Sequence, residues 1–178
     1  YFKPDDATQA NIRHRSQLLN AYDNAIRYTD GVLDDIIAEL DATGAKAVMI
    51  YTSDHGEDIF DDERGRFLHA SPVPTYYQLH VPLIVWTSEE YDKAYPEVRQ
   101  YLSANKDMYV APSQSVFHTL LQMSGLDTPY LDETQSMASF DYVSPAPLYL
   151  NDYNEGQPLR DSGIKTHDVE KFKEIGIL

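Results

Sequence analysis

Cysteine does not occur in this chain of 178 residues, which excludes disulfide bracing and any thiolate nucleophile or thiolate ligand from these residues. Basic side chains are scarce too: 14 Lys and Arg stand against 29 Asp and Glu, a net charge of −15. Nucleic acid is bound through clustered cations that displace counterions from phosphates, so a nucleic-acid partner is not expected. The same repulsion argues against this stretch lying flat on an anionic membrane face. No apolar run approaches the about 18 residues of a spanning helix, and no signal-peptide pattern opens the chain. Repeats and low-complexity linkers are also missing. What is present is ordinary for a globular protein, 42% apolar and 24% charged, and long enough for one domain with a core.

The stretch Ala47-Val-Met-Ile-Tyr-Thr-Ser-Asp-His-Gly-Glu57 organises the rest. Its first six residues form an uncharged, partly β-branched run, the pattern of a strand buried on both faces of a mostly parallel sheet. In open α/β sheets, ligands bind beyond the carboxyl ends of the strands, where this chain carries Ser53, Asp54, His55 and Gly56. A carboxylate and an imidazole splayed by a glycine turn can hold a cation such as Zn²⁺ through O and N. Zinc needs three or four ligands, so two adjacent ones are either half a site or a capped turn. His69, 14 residues beyond His55, is the nearest further candidate. The acidic loop between them, 57–65, reads as mobile and solvated; the sharper alternative makes Glu57 the acceptor for the second ring nitrogen of His55. Calcium binding by Asp58, Asp61, Asp62 and Glu63 lacks EF-hand spacing.

Upstream, apolar residues from Leu18 to Leu40 recur at three- and four-residue intervals, which predicts a helix over 11–40 whose apolar face packs on the sheet, stopped by Gly44. Downstream, Val81–Trp86 reads as a strand with His80 at its mouth as a structural residue, after a loop carrying Tyr76 and Tyr77. Ser88 caps a helix interrupted at Pro96. Ser113 opens a second, ended by Gly125, with His118 on it as a core or surface residue. Residues 127–163 read as ordered loops with strands near Tyr142–Val143 and Leu148–Leu150, before a short helix from Thr166.

Ser53-Asp-His-Gly-Glu57, then Leu68-His69, then His80-Val-Pro-Leu-Ile-Val-Trp86 resemble the C-terminal part of the alkaline phosphatase/sulfatase superfamily, and within it the bacterial phosphoethanolamine transferases. Leu19–Asp30 and Ser113–Gly125 are similar to helices of the same enzymes, so the likeness spans about residues 13–130.

The resemblance implies an α/β fold, a partial alkaline-phosphatase-like sandwich with a mostly parallel sheet flanked by helices. Residues 1–178 would be the C-terminal portion of a longer catalytic domain, with the membrane region and the nucleophilic Thr upstream; Thr8, Thr29 and Thr43 match no nucleophile context. Asp54 and His55 are then metal ligands, most simply for zinc, and His69 meets the substrate phosphoryl group. The implied donor is phosphatidylethanolamine, the acceptor a lipid A or core sugar of lipopolysaccharide, and the location the periplasmic face of the bacterial inner membrane. On this reading these residues alone are inactive. A sulfatase or phosphodiesterase of the same superfamily, or a non-catalytic acidic module recruiting a cationic partner, are the alternatives.

Overall fold

The computed structural model describes residues 12–69, 73–151, 153 and 155–178; Thr8 and the expected helix start at 11 lie outside them. A long helix comes first, α1 (Arg15–Ala42). It is closed by Thr43, whose hydroxyl donates to the Leu40 carbonyl at 2.6 Å, and by Gly44 at φ 61°, the left-handed conformation that glycine adopts without penalty. Only Leu18 of its apolar face is fully buried. Leu19, Leu33, Ile37 and Leu40 are half-buried, whereas Tyr22, Ile26 and Ile36 remain exposed. The predicted face therefore exists but is covered along part of its length only.

The strand β1 (Val48–Thr52) pairs with β4 (Leu83–Thr87) in antiparallel register, Val48 opposite Thr87 and Thr52 opposite Leu83. The mostly parallel sheet is not what the described residues form: their three sheets are two-stranded and antiparallel. An apolar run carries no direction of its own; the connection supplies it. Here the chain leaves the tip of β1, builds the small strands β2 (Asp58–Ile59) and β3 (Phe67–Leu68) and the one-turn helix α2 (Tyr76–Leu79) at that tip, and re-enters the sheet beside Thr52. Without a crossover to the far end, the return is antiparallel. Nor is β1 buried on both faces; all five of its residues are half-buried.

Behind the sheet lie α3 (Glu89–Ala94), α4 (Pro96–Asn105) and α5 (Pro112–Ser124). Ser88 caps α3 by accepting from the Tyr91 amide at 3.2 Å, and its hydroxyl also accepts from the Ala47 amide at 3.0 Å, tying the helix to the root of β1. Pro96 sits in the first turn of α4, where its missing N–H costs nothing. Tyr91, Val98, Met123 and Ala138 form a buried cluster against Val48, Val85 and Leu102. Within it the Tyr91 hydroxyl donates to the Met123 carbonyl at 2.8 Å, and burial pushes the phenol up to about 12. Of the late strands, Leu148–Leu150 exists as β5, paired with β6 (Gly156–Pro158), whereas Tyr142–Val143 is not a strand. The chain closes with α6 (Thr166–Glu174).

Candidate active site at the tip of β1

The acidic stretch 57–65 is not simply a solvated loop. Asp58, Ile59 and Phe60 are buried, and β2 pairs with β3 as a hairpin, Asp58 opposite Leu68. The next position outward in that register places Glu57 opposite His69. This cross-strand neighbourhood brings the Glu57 Oε1 within 2.9 Å of His69 Nδ1. Phe60 and Leu68 both hold positive φ, 55° and 65°, a region that costs a side-chain-bearing residue of order 1 kcal/mol. The strained Leu68 immediately precedes His69, and so aims it.

Beneath the hairpin, Asp58 accepts from Thr75 Oγ1 at 3.0 Å and from the Gln78 side-chain amide. Burial pushes its carboxyl above the ordinary range despite those donors. Thr75 in turn caps α2. Gly56 completes the joint: its amide donates to the Gln78 carbonyl at 2.8 Å, and a Cβ there would collide with the Tyr77 carbonyl. Every acid in this segment for which calcium was considered, apart from Glu63, has internal work, since Asp61 accepts from the Ile59 amide at 2.6 Å and Asp62 pairs with Arg64.

The strand tip itself is turned by side chains. The Ser53 hydroxyl donates to the His55 carbonyl at 2.7 Å, and Asp54 Oδ1 accepts from the His55 amide at 3.1 Å. His55 Nδ1 lies 3.0 Å from the Gly56 carbonyl; in the tautomer that donates there, Nε2 keeps its lone pair. That Nε2 faces Asp54 Oδ2 at 3.7 Å. Zinc with ligands at 2.0–2.2 Å spaces neighbouring tetrahedral donors by roughly 3.4 Å, so Asp54 and His55 fit one cation with little rearrangement. The Asp54 side chain is 87% exposed and open to such a partner.

Beside this pair, the rings of His55 and His69 lie 3.9 Å apart between centroids. Glu57 Oε2 is buried without a hydrogen-bond partner, an orphaned acceptor that invites a cation or a proton. Donor atoms of His55, Glu57 and His69 all lie within 4.8 Å of one another. Sequence reasoning thus found His55 and His69, and the structure brings them together. It gave Glu57 to His55, and Glu57 Oε1 does lie 3.9 Å from His55 Nδ1, but its hydrogen bond goes to His69. The signal was available in the even hairpin spacing, but two-residue strands leave no alternation to see.

His80, read as structural, is exposed, with its ring 5.0 Å from that of Tyr76. It lines a cavity of about 500 Å³ together with Asp54, His55, Lys106, Tyr109 and Phe172. Tyr76 and Tyr77 belong to α2 rather than to a loop. His118 stays structural, accepting from the Asp132 amide at 3.1 Å.

The Sulfatase family profile matches residues 1–126. The chain belongs to the sulfatase family. Among curated relatives, it is similar to phosphoethanolamine transferase EptA of Escherichia coli (strain K12), 32% identical over 129 residues, covering 70% of this chain and 23% of EptA. It is also similar to the Kdo(2)-lipid A phosphoethanolamine 7''-transferase of the same organism, 31% identical over 121 residues, covering 65% of this chain and 20% of that enzyme. The chain therefore spans less than a quarter of the length of these relatives. In fold it resembles the C-terminal periplasmic domain of EcEptC from Escherichia coli in complex with Zn, with a TM-score of 0.72, 24% identity, and coverage of 85% of this chain and 42% of that one. The likeness supports the α/β class while leaving the described sheets antiparallel. No described helix is long and apolar enough to cross a membrane.

Proposed function

We propose that this sulfatase-family chain is the C-terminal, site-bearing portion of the catalytic domain of a membrane-anchored phosphoethanolamine transferase, acting at the periplasmic face of the bacterial inner membrane. The donor is phosphatidylethanolamine and the acceptor a lipid A or core sugar of lipopolysaccharide. The observation that carries the reading is the closeness of two pairs at one strand tip, Asp54 beside His55 at 3.7 Å and Glu57 bonded to His69 at 2.9 Å.

Asp54 and His55 would hold zinc, which supplies Lewis-acid neutralisation of phosphoryl charge and lowers the pKa of a bound hydroxyl. The protein's own contribution lies in His69. Glu57 Oε1 accepts the Nδ1 proton, so Nε2 is the nitrogen turned to substrate. When protonated it donates to a phosphoryl oxygen, or to the leaving alkoxide. In the first half-reaction the deprotonated oxygen of a Thr from the longer protein forms a bond to phosphorus, the bond to the diacylglycerol oxygen breaks, and His69 gives that oxygen its proton. In the second, an acceptor hydroxyl displaces Thr and returns a proton to the dyad. Glu57 steadies the imidazolium in both.

The closeness of His55, Glu57 and His69 favours a second arrangement, in which these three hold the cation and Asp54 only caps the turn. The transferase reading is tested with the full-length protein expressed in a bacterium lacking its own enzyme, by mass spectrometry of lipopolysaccharide. Phosphoethanolamine addition is expected, with His69→Ala reducing it on the order of 100-fold or more. Undiminished transfer in that variant, or cleavage of donor without an acceptor product, would sink the assignment.

A further inference from the structure

We infer that Asp168, on the C-terminal helix, is a positioning residue for the Glu57–His69 dyad, acting through Arg64. Asp168 lies outside the segment matched by the family profile, which ends at 126, yet it reaches back 104 residues to the hairpin. Its Oδ2 accepts from Arg64 Nη1 at 2.5 Å and its Oδ1 from Arg64 Nη2 at 3.0 Å, a bidentate pair. The same Oδ1 accepts from the Tyr76 amide at 3.0 Å. Asp168 is fully buried, and these three bonds, with the Arg64 charge, offset its loss of water.

Arg64 occupies the turn of the hairpin whose two ends are Glu57 and His69. Arg64 also grips Asp62 within that turn, and the turn closes through the Phe60 amide on the Arg66 carbonyl at 2.8 Å. One buried carboxylate thus fixes both walls of the site at once: the hairpin through Arg64, and the start of α2 through Tyr76. α2 is the element whose Gln78 carbonyl receives Gly56, one residue from His55. A second contact runs the same way, since the rings of Tyr76 and Phe172 of α6 meet edge to face with centroids 5.1 Å apart. Hairpins with two-residue strands and two positive-φ side chains are weakly self-supporting. The clasp supplies the missing constraint, and tenths of an ångström at His69 decide whether its hydrogen bond forms.

The inference rests on the proposed function only for the use made of His69, so its test is run without metal or substrate. In the full chain, NMR resonances of the imidazoles of His55 and His69 are recorded for wild type, Asp168→Asn and Arg64→Lys. Asn keeps the shape and the bond from Tyr76 but loses the charge; Lys keeps the charge but loses the bidentate fork. Both are expected to shift the signals of the neighbouring His55 and His69 rings and to abolish the carboxylate-bonded His69 Nδ1–H signal, while the signal of His118, on α5, stays in place. Should Asp168→Asn fail to fold, Arg64→Lys decides alone. Folded variants with His55 and His69 signals unmoved would overturn the inference and leave Asp168 as a stabilising residue only. An absence of phosphoethanolamine transfer by the wild-type full-length protein, with these shifts still observed, would remove the transferase reading and leave the clasp standing.

Discussion

An alanine at position 56 is expected to destabilise the fold by about 2–4 kcal/mol, the sum of overpacking and a lost backbone hydrogen bond. The added Cβ would meet the Tyr77 carbonyl, and the 2.8 Å bond from the Gly56 amide to Gln78 would part as α2 retreats. Since α2 is capped by Thr75 and braced through Asp58, the displacement reaches the hairpin and both histidines. The control is Gly31→Ala in α1, where a Cβ meets nothing within 4 Å; helix propensity there predicts a gain of up to about 1 kcal/mol. Urea denaturation of both variants checks the pair. Equal effects of one sign would show that crowding at Tyr77 is not the cause.

The second large effect is Arg64→Ala. It leaves Asp168 buried without its cation, a change that costs about 3–5 kcal/mol near neutral pH. The pH dependence carries the signature. In the native protein burial pushes the Asp168 carboxyl up, but the Arg64 fork, the Tyr76 amide and the Arg64 charge outweigh it and hold the group below its ordinary value. Asp62 is lowered as well, chiefly by its hydrogen bond to Arg64. A depressed folded-state value means stabilisation that is whole above about pH 4 and is lost as pH falls through the folded value. Without Arg64, burial dominates at Asp168, and the variant takes up a proton in the folded state instead. The gap between wild type and variant is therefore expected to be widest near neutrality and to narrow below about pH 4. Urea midpoints across that range measure it, and a constant gap would contradict the ion-pair account.

What the sequence disclosed depended on how local the signal was. The strand Val48–Thr52, its polar tip, the Ser88 cap and the Gly125 stop were legible because each is written in neighbouring residues. His69 was found through family likeness, and the structure supplies the physical reason, a hairpin register that sets it opposite Glu57. The hairpin itself was hidden: strands of two residues show no alternation, and six charged residues between 57 and 65 read as a solvated loop although Asp58 is buried. Strand direction was misjudged because an apolar run looks the same in either sense. The exposed Tyr22, Ile26 and Ile36 show that a periodic face guarantees a helix, not a cover for all of it. Asp168 was beyond reach, since its partner lies 104 residues away and no periodicity links them.

Zinc titration by calorimetry, on the full-length protein and its Asp54→Ala, His55→Ala and Glu57→Gln variants, tests the central claim most directly. The account predicts zinc binding that Asp54→Ala and His55→Ala each weaken at least about 100-fold, while Glu57→Gln, which only orients His69, weakens it less than either. Binding that survives Asp54→Ala but is lost in Glu57→Gln would move the cation to the His55, Glu57 and His69 cluster, and an absence of binding would return Asp54 and His55 to a capped turn.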